Sequence, residues 1–145
     1  MAIERERKFK LKYLPNNLPF DVIHQGYLLF DSSKQLRVRI INNEQGYITY
    51  KSDINHTDRH EYEYEIPIKD ALELYNSTKY QIKKIRYTKN DKDYTAHIDI
   101  YSNGLCIVEL EFQKELNTLP DFCGDEITGQ KDFSNINLAL KNLKK

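Results

Sequence analysis

Charged residues alternate with apolar or aromatic residues in one predicted strand after another, and this alternation constrains the fold more than any other feature of the sequence. Successive side chains of a β-strand point to opposite faces. In residues 2–11, Glu4, Glu6 and Lys8 therefore share one face, while Phe9 lies on the other. A strand of this kind usually buries its apolar face and leaves its charges in water.

The same alternation recurs and predicts a mainly antiparallel β-domain. Further strands are predicted at residues 24–30, 36–40, 47–52, 59–66, 81–87, 94–101 and 105–112. A helix capped by Asp70 is expected to end near Tyr80, and a second helix is expected at residues 134–143. A short helical turn is compatible with residues 20–23, and residues 113–132 have the mixed composition of a loop or short helix.

Composition limits the class of partner. The chain has 145 residues, which is typical of one domain, and its 22 basic and 22 acidic residues give a net charge of zero. A neutral chain is not expected to bind nucleic acid or an anionic membrane surface through bulk electrostatics. The sequence has no apolar run of the roughly 20 residues that a membrane span needs, so we expect a cytoplasmic protein, either a monomer or a homodimer.

The charged faces permit two arrangements, and periodicity alone does not decide between them. They face water around an apolar core, or they line the lumen of a closed barrel whose apolar faces are covered from outside. An eight-stranded barrel has room for one small ligand. Charges inside it would need partners, such as a bound polyanion and a divalent metal. Clusters of carboxylate oxygens suit Mg²⁺ or Mn²⁺.

The order of these charges resembles a known family. Glu4-x-Glu6-x-Lys8 is similar to the ExExK signature of the CYTH superfamily, the triphosphate tunnel metalloenzymes. The resemblance covers residues 2–140 and continues, in chain order, through residues 25–28, Arg37-x-Arg39, Lys51, Arg59-x-Glu61-x-Glu63-x-Glu65, Lys84-x-Arg86, Asp99, Glu109-x-Glu111, residues 124–128 and residues 133–135.

The resemblance implies an α+β, mainly antiparallel fold: an eight-stranded closed β-barrel with flanking helices, formed by a single CYTH domain over residues 1–145. It implies that a triphosphate is held by Lys8, Arg37, Arg39, Lys51, Lys84 and Arg86, with Lys131 as a further cation near the C-terminus. It implies that Mg²⁺ or Mn²⁺ is held by Glu4, Glu6, Glu61, Glu63, Asp99, Glu109 and Glu111.

Catalytic roles are expected for Lys8 and Tyr27, which would lie close together if the first two strands pair. Which of Glu61, Glu63 and Glu65 reach the metal stays open, although the family pattern favours the first two. The four histidines look ancillary; among them His97 shares a predicted strand face with Asp99.

The expected function is metal-dependent hydrolysis of inorganic triphosphate, a small-molecule substrate. Nucleoside triphosphates are expected to be poorer substrates, because so short a chain has little beyond the barrel with which to bind a base. The alternatives are a thiamine triphosphatase, an adenylyl cyclase of the related class IV type, or a polyphosphate- or nucleotide-binding module without turnover.

Overall fold

The computed structural model describes residues 2–55 and 57–143, and side chains within residues 5–55 and 57–141. The described chain consists mostly of β-strands. The strands are β1 (Ala2–Leu11), β2 (Phe20–Phe30), β3 (Lys34–Ile41), β4 (Gln45–Asp53), β5 (Asp58–Ile66), β6 (Tyr80–Asn90), β7 (Thr95–Tyr101), β8 (Cys106–Glu111) and β9 (Cys123–Glu126). The helices are α1 (Ile68–Ser77) and α2 (Asn135–Leu143), with one 3-10 turn at Lys131–Phe133.

Eight of these strands form a closed antiparallel barrel. The strand order is β5-β4-β3-β2-β6-β7-β8-β1, and the additional pairing of β1 with β5 closes the barrel. At this seam Glu4 lies opposite Arg59 and Arg5 lies opposite Asp58. The ninth strand, β9, pairs with the end of β1 near Phe9. The predicted fold class is therefore confirmed.

The first two strands of the barrel do not pair with each other. In the described chain, β1 pairs with β5, β8 and β9, whereas β2 pairs with β3 and β6. The strand order puts β2 on the opposite side of the barrel from β1. The expectation that Tyr27 lies close to Lys8 depended on pairing between β1 and β2, and these strands do not pair. Instead, Lys8 lies directly opposite Glu109 of β8, a favourable pair of opposite charges.

Three local predictions also need correction. Residues 20–23 are not helical but begin β2, because Val22 and Ile23 pair with β6. The first helix begins at Ile68 and ends at Ser77; Pro67 precedes it, and Asp70 lies in its first turn rather than at its cap. Within residues 113–132, the expected loop or short helix contains β9.

The apolar faces of the strands are covered from outside the barrel. Val38 and Ile40 of β3 pack against Ala71 and Tyr75 of α1. A second outer cluster is formed by Phe9 of β1, Ala96 and Ile98 of β7, Val108 and Leu110 of β8, Cys123 at the start of β9 and the preceding Phe122. Their burial outside the barrel leaves the opposite, charged faces of the same strands for the lumen.

One stretch of the lumen-facing positions is apolar. Tyr27, Ile82 and Ile107 lie on the same strand faces as the charged residues, and they pack with Leu138 and Ala139 of α2. This cluster attaches α2 to the barrel wall and places its first residue beside the charged part of the lumen. The described part of the chain contains no helix with the length and apolar character needed to cross a membrane.

Candidate active site

The charged strand faces lie inside the barrel. Seven ionisable side chains on these faces are more than nine-tenths buried: Glu6, Arg37, Lys51, Lys84, Arg86, Asp99 and Glu109. Gln25 and Thr49 are neutral polar residues buried with them. Of the two arrangements that the sequence leaves open, the structure therefore has the polar lumen.

Two connected cavities run through this lumen. The larger has a volume of about 420 Å³, and the smaller a volume of about 250 Å³. Arg37, Lys51, Glu109 and Asn135 line both. The larger cavity is also lined by Glu6, Lys8, Lys34, Arg59 and Lys131, and the smaller by Arg39, Glu61, Glu63, Arg86, His97 and Glu111. The structure thus brings most of the predicted cations and carboxylates to these two cavities; Lys84 and Asp99 line neither of them, and the side chain of Glu4 lies outside the described part of the structure.

Asp99 is the centre of a buried ionic network. Its Oδ1 accepts a hydrogen bond from Arg86 Nε at 2.7 Å, and its Oδ2 accepts bonds from Arg86 Nη2 at 2.8 Å and Lys84 Nζ at 2.7 Å. Burial alone would raise the pKa of Asp99, but the charges of Arg86 and Lys84 hold it well below its usual value. Burial lowers the pKa of Lys84 to about 7, and the Asp99 carboxylate opposes this shift. Asp99 is therefore an ionised carboxylate held by two cations.

Two arginines on β3 contribute positive charge that the lumen only partly balances. Arg37 is 2% exposed, and its Nε has no hydrogen-bond partner among the described residues. Its Nη2 lies 3.9 Å from Glu61 Oε1. Burial, together with the like charges of Arg37 and Arg86, lowers the pKa of Arg39 to about 9. Crowded cations of this kind favour the binding of an anion.

Carboxylates of β1 and β8 face each other across the pairing of the two strands. Glu6 lies directly opposite Glu111, and two like charges in this position repel unless a cation lies near them. Arg59 supplies one such cation, because its Nη2 lies 3.2 Å from Glu6 Oε1. Burial would raise the pKa of Glu109, but Lys8 and Arg86 lower it well below its usual value. Glu109 is consequently available as an anionic ligand.

The acidic residues of β5 divide into two groups. Glu61 and Glu63 line the smaller cavity, whereas Glu65 lines neither of the two cavities; Glu61 is half-buried, and both Glu63 and Glu65 are exposed. Lys51 Nζ lies 3.5 Å from Glu61 Oε1, and Thr49 Oγ1 donates to Glu63 Oε1 at 2.9 Å. The resemblance favours the same two residues as metal ligands, and that role stays a prediction.

The donor set has the chemistry of a site for a hard divalent cation, because it consists of carboxylate oxygens. Among the residues whose side chains are described, no group of three His, Cys, Asp or Glu is arranged to hold a metal ion. The predicted ligand Glu4 belongs to β1, but its side chain lies outside the described part of the structure. A divalent cation between Glu6 and Glu111 would reduce the repulsion between these two carboxylates, which lie directly opposite each other.

Tyr27 and Lys131 lie at different depths. Tyr27 is 2% exposed, its hydroxyl accepts a hydrogen bond from Gln25 Nε2 at 3.1 Å, and it also bonds with Arg37. Burial raises the pKa of Tyr27, so its phenol stays protonated near neutral pH. Lys131 is exposed and lines the larger cavity on the same side as Lys8.

Arg59 and Asn135 also lie in the site, although the sequence predicts no role for them. Arg59 shares a strand face with Glu61, and this alternation was the signal that could have identified it. Asn135 is the first residue of α2, and its Oδ1 accepts bonds from Tyr101 and, at 3.4 Å, from Lys84 Nζ. Its position depends on how α2 packs on the barrel, which no local pattern reveals.

The comparisons with known proteins agree with this geometry. Residues 2–137 match the family model of the CYTH domain. The chain belongs to the CYTH domain family. It is 38% identical to an inorganic triphosphatase of Acetivibrio thermocellus, over 83% of each chain.

Solved structures give the same result. The crystal structure of the inorganic triphosphatase NE1496 is 30% identical, has a TM-score of 0.69 and covers 97% of this chain and 96% of its own. The PH1012 protein of Pyrococcus horikoshii OT3 is 23% identical, with a TM-score of 0.63, over 78% of this chain and 80% of its own. The second likeness supports the CYTH fold alone.

Proposed function

We propose that this CYTH protein hydrolyses inorganic triphosphate with the help of Mg²⁺ or Mn²⁺. The observation that carries the proposal is the buried group of cations in the lumen, beside carboxylates that face each other on neighbouring strands. The names of the relative from Acetivibrio thermocellus and of NE1496 support the same substrate. A polyanion would balance the cations, and a divalent cation would balance the carboxylates.

The triphosphate is held by the cations of the lumen. Arg37 and Arg39 present planar guanidinium groups that match phosphate oxygens, whereas Lys51 and Lys84 act as point charges. The unpartnered Nε of Arg37 gives a phosphate oxygen a donor that the described protein does not use. The full set is Lys8, Arg37, Arg39, Lys51, Lys84 and Arg86, with the exposed Lys131 as a further cation. All of these except Lys84 line one of the two cavities, and Lys84 is hydrogen-bonded to Asp99.

The metal would be held by Glu6 and Glu111, with Glu61, Glu63 and Glu109 as further carboxylates of the lumen; Glu4 remains a ligand predicted from the family resemblance. A bound divalent cation polarises phosphoryl oxygens and lowers the pKa of a coordinated water. Asp99 was expected in this set from the family resemblance. Because three hydrogen bonds from Arg86 and Lys84 occupy its oxygens, we propose that it positions these two cations instead.

Lys8 and Tyr27 act at separate places in this account. Lys8 Nζ lies 3.8 Å from Glu109 Oε1, where it faces the larger cavity and can stabilise charge that develops on a phosphoryl oxygen. Tyr27 acts through its hydrogen bond with Arg37, and it holds Arg37 in place on the side of the barrel opposite Lys8. In phosphoryl transfer, positioning and charge stabilisation supply most of the catalysis.

The products distinguish this reaction from the alternatives. We expect ³¹P NMR to show inorganic triphosphate converted into equal amounts of orthophosphate and diphosphate. Cyclic AMP and diphosphate from ATP would instead support the cyclase. Binding of triphosphate without any product would support the binding module.

An organic triphosphate is a second candidate substrate, because the larger cavity is partly apolar. Phe30, Ile136 and Leu140 line it together with the cations, and its volume of about 420 Å³ lies within the range of small-molecule sites. A base or a similar ring could lie on Phe30, which is 40% exposed, while the phosphates reach Arg37. Phe30→Ala should raise the KM for ATP and leave the KM for inorganic triphosphate unchanged.

A further inference from the structure

His97 of β7 meets one of the proposed metal ligands. Its Nε2 lies 3.1 Å from Glu111 Oε1, which is within hydrogen-bonding distance. The contact runs diagonally between the two strands, because His97 pairs directly with Glu109 and Glu111 pairs with Thr95. Both side chains line the smaller cavity, together with Glu63. The imidazole is therefore part of the wall that carries the carboxylates.

The partner of Glu111 differs in kind from the partners of the other lumen carboxylates. Arg59 lies against Glu6, and both Lys8 and Arg86 lie near Glu109, so these carboxylates face side chains that also attract phosphate. Glu111 faces an imidazole, which can donate one N–H without a permanent charge. A donor of this type fixes the orientation of a carboxylate and leaves its negative charge for a metal.

The position of the ring favours a role through Glu111 over direct coordination. Nε2 already faces the carboxylate, and Nδ1 is buried without a hydrogen-bond partner among the described residues. Glu111 is the last residue of β8, and its side chain is 34% exposed, compared with 8% for Glu109. A partly exposed carboxylate at a strand end can adopt several orientations, so a hydrogen bond to a fixed neighbour has a large effect on its orientation.

We propose that His97 is a positioning residue, which orients the Glu111 carboxylate so that its second oxygen can bind the divalent cation. The inference rests on the proposed function, since it takes Glu111 as a metal ligand. It assigns to His97 a role in metal affinity, in place of the packing or solvated role that its sequence context favours.

The test is a titration of the free protein with Mn²⁺, followed by electron paramagnetic resonance, which does not depend on activity. His97→Leu removes the donor, and we expect it to weaken Mn²⁺ binding by about 10- to 100-fold. His97→Gln restores an N–H near the position of Nε2, and we expect an affinity within about threefold of the original protein, as for a retained orienting bond.

His24→Leu is the matched control. His24 is also half-buried, and its Nδ1 also has no partner among the described residues, but it lies on β2 beside Tyr75. Its substitution should leave Mn²⁺ affinity unchanged. If His97→Leu fails to fold, the comparison between His97→Gln and His97→Asn, whose shorter amide cannot reach Glu111, carries the same information.

The outcomes separate the inference from the proposed function. If the original protein binds Mn²⁺ and His97→Leu binds it equally well, the inference alone is overturned. A nitrogen coupling to Mn²⁺ in spin-echo spectra that disappears in His97→Gln would make His97 a ligand and would also overturn it. If the original protein binds no Mn²⁺, both the inference and the proposed metal site fail.

Discussion

Arg86 donates a hydrogen bond to each oxygen of the Asp99 carboxylate, from Nε to Oδ1 at 2.7 Å and from Nη2 to Oδ2 at 2.8 Å. Lys84 adds a third bond to the same group at 2.7 Å. All three side chains belong to the neighbouring strands β6 and β7, with Arg86 directly opposite Asp99. This triad gives the lumen a fixed ionic framework around which the remaining cations are arranged.

Asp99→Asn should destabilise the protein strongly, because it leaves the buried Arg86 guanidinium without its counter-charge and removes the charge that favours the protonated form of Lys84. Removing one partner of a buried ion pair costs about 3–5 kcal/mol. Urea-induced unfolding, followed by circular dichroism, measures the change in unfolding free energy.

Asp58→Asn is the control for this measurement. Asp58 pairs with Arg5 at 3.1 Å, and the Arg5 side chain is 48% exposed. An exposed pair contributes about 0–1 kcal/mol. Equal effects of the two substitutions would contradict the proposed role of Asp99 in the framework.

Arg37→Gln should separate stability from function. We expect kcat/KM for inorganic triphosphate to fall by about 10- to 100-fold, which corresponds to the loss of a charged hydrogen bond to phosphate. The unfolding free energy should fall by no more than about 1 kcal/mol, because the lost cation is crowded by like charges and lacks a partner at Nε.

Arg5→Gln provides the comparison, since Arg5 is exposed and pairs with Asp58 away from the cavities. It should leave kcat/KM within about twofold, as is usual for exposed ion pairs. A normal kcat/KM in folded Arg37→Gln would remove Arg37 from the substrate site.

The acidic residues of β5 offer a sharp internal comparison. Glu61→Gln should reduce metal-dependent turnover by at least about tenfold, because Glu61 lines the cavity beside Arg37 and Lys51. Glu65→Gln should have no effect, because Glu65 lines neither of the two lumen cavities. Initial rates at several Mn²⁺ concentrations measure both; a larger loss in Glu65→Gln would reverse the assignment.

The two cysteines should differ in reactivity. Cys123 is 7% exposed, and burial raises the pKa of its thiol to about 11, so at pH 8 roughly one molecule in a thousand carries a thiolate there. Cys106 is half-buried. Mass spectrometry after treatment with a thiol reagent at pH 8 should show modification at Cys106 first, and at Cys123 only after unfolding. Equal rates at the two sites would mean that the outer cluster opens readily.

Much of the barrel could be predicted, because the alternation of residue types within a strand shows which side chains share a face. The alternation in β1, β3, β5 and β8 identified which side chains lie together, and the structure brings them into one lumen. Which face points inward could not be read from the alternation, because it depends on how the strands close. The resemblance to the CYTH superfamily supplied that information.

Apart from the three local corrections to helix and strand positions, the errors concern relationships between distant residues. Pairing of β1 with β2 was a natural assumption for consecutive strands, but β1 closes the barrel against β5 and β8. Likewise, the bonds of Asp99 with Lys84 and Arg86 depend on the register of β6 and β7, which the sequence does not specify. The role of Asn135 depends on how α2 packs in the apolar cluster that contains Tyr27.

The most direct test of the central claim is the rate of phosphate release from inorganic triphosphate, measured side by side with ATP and thiamine triphosphate in Mg²⁺, Mn²⁺ or EDTA. We expect rapid release from inorganic triphosphate with either metal, slower release from the two organic triphosphates, and none in EDTA. Equal release in EDTA, or no release from inorganic triphosphate with either metal, would contradict the proposed function.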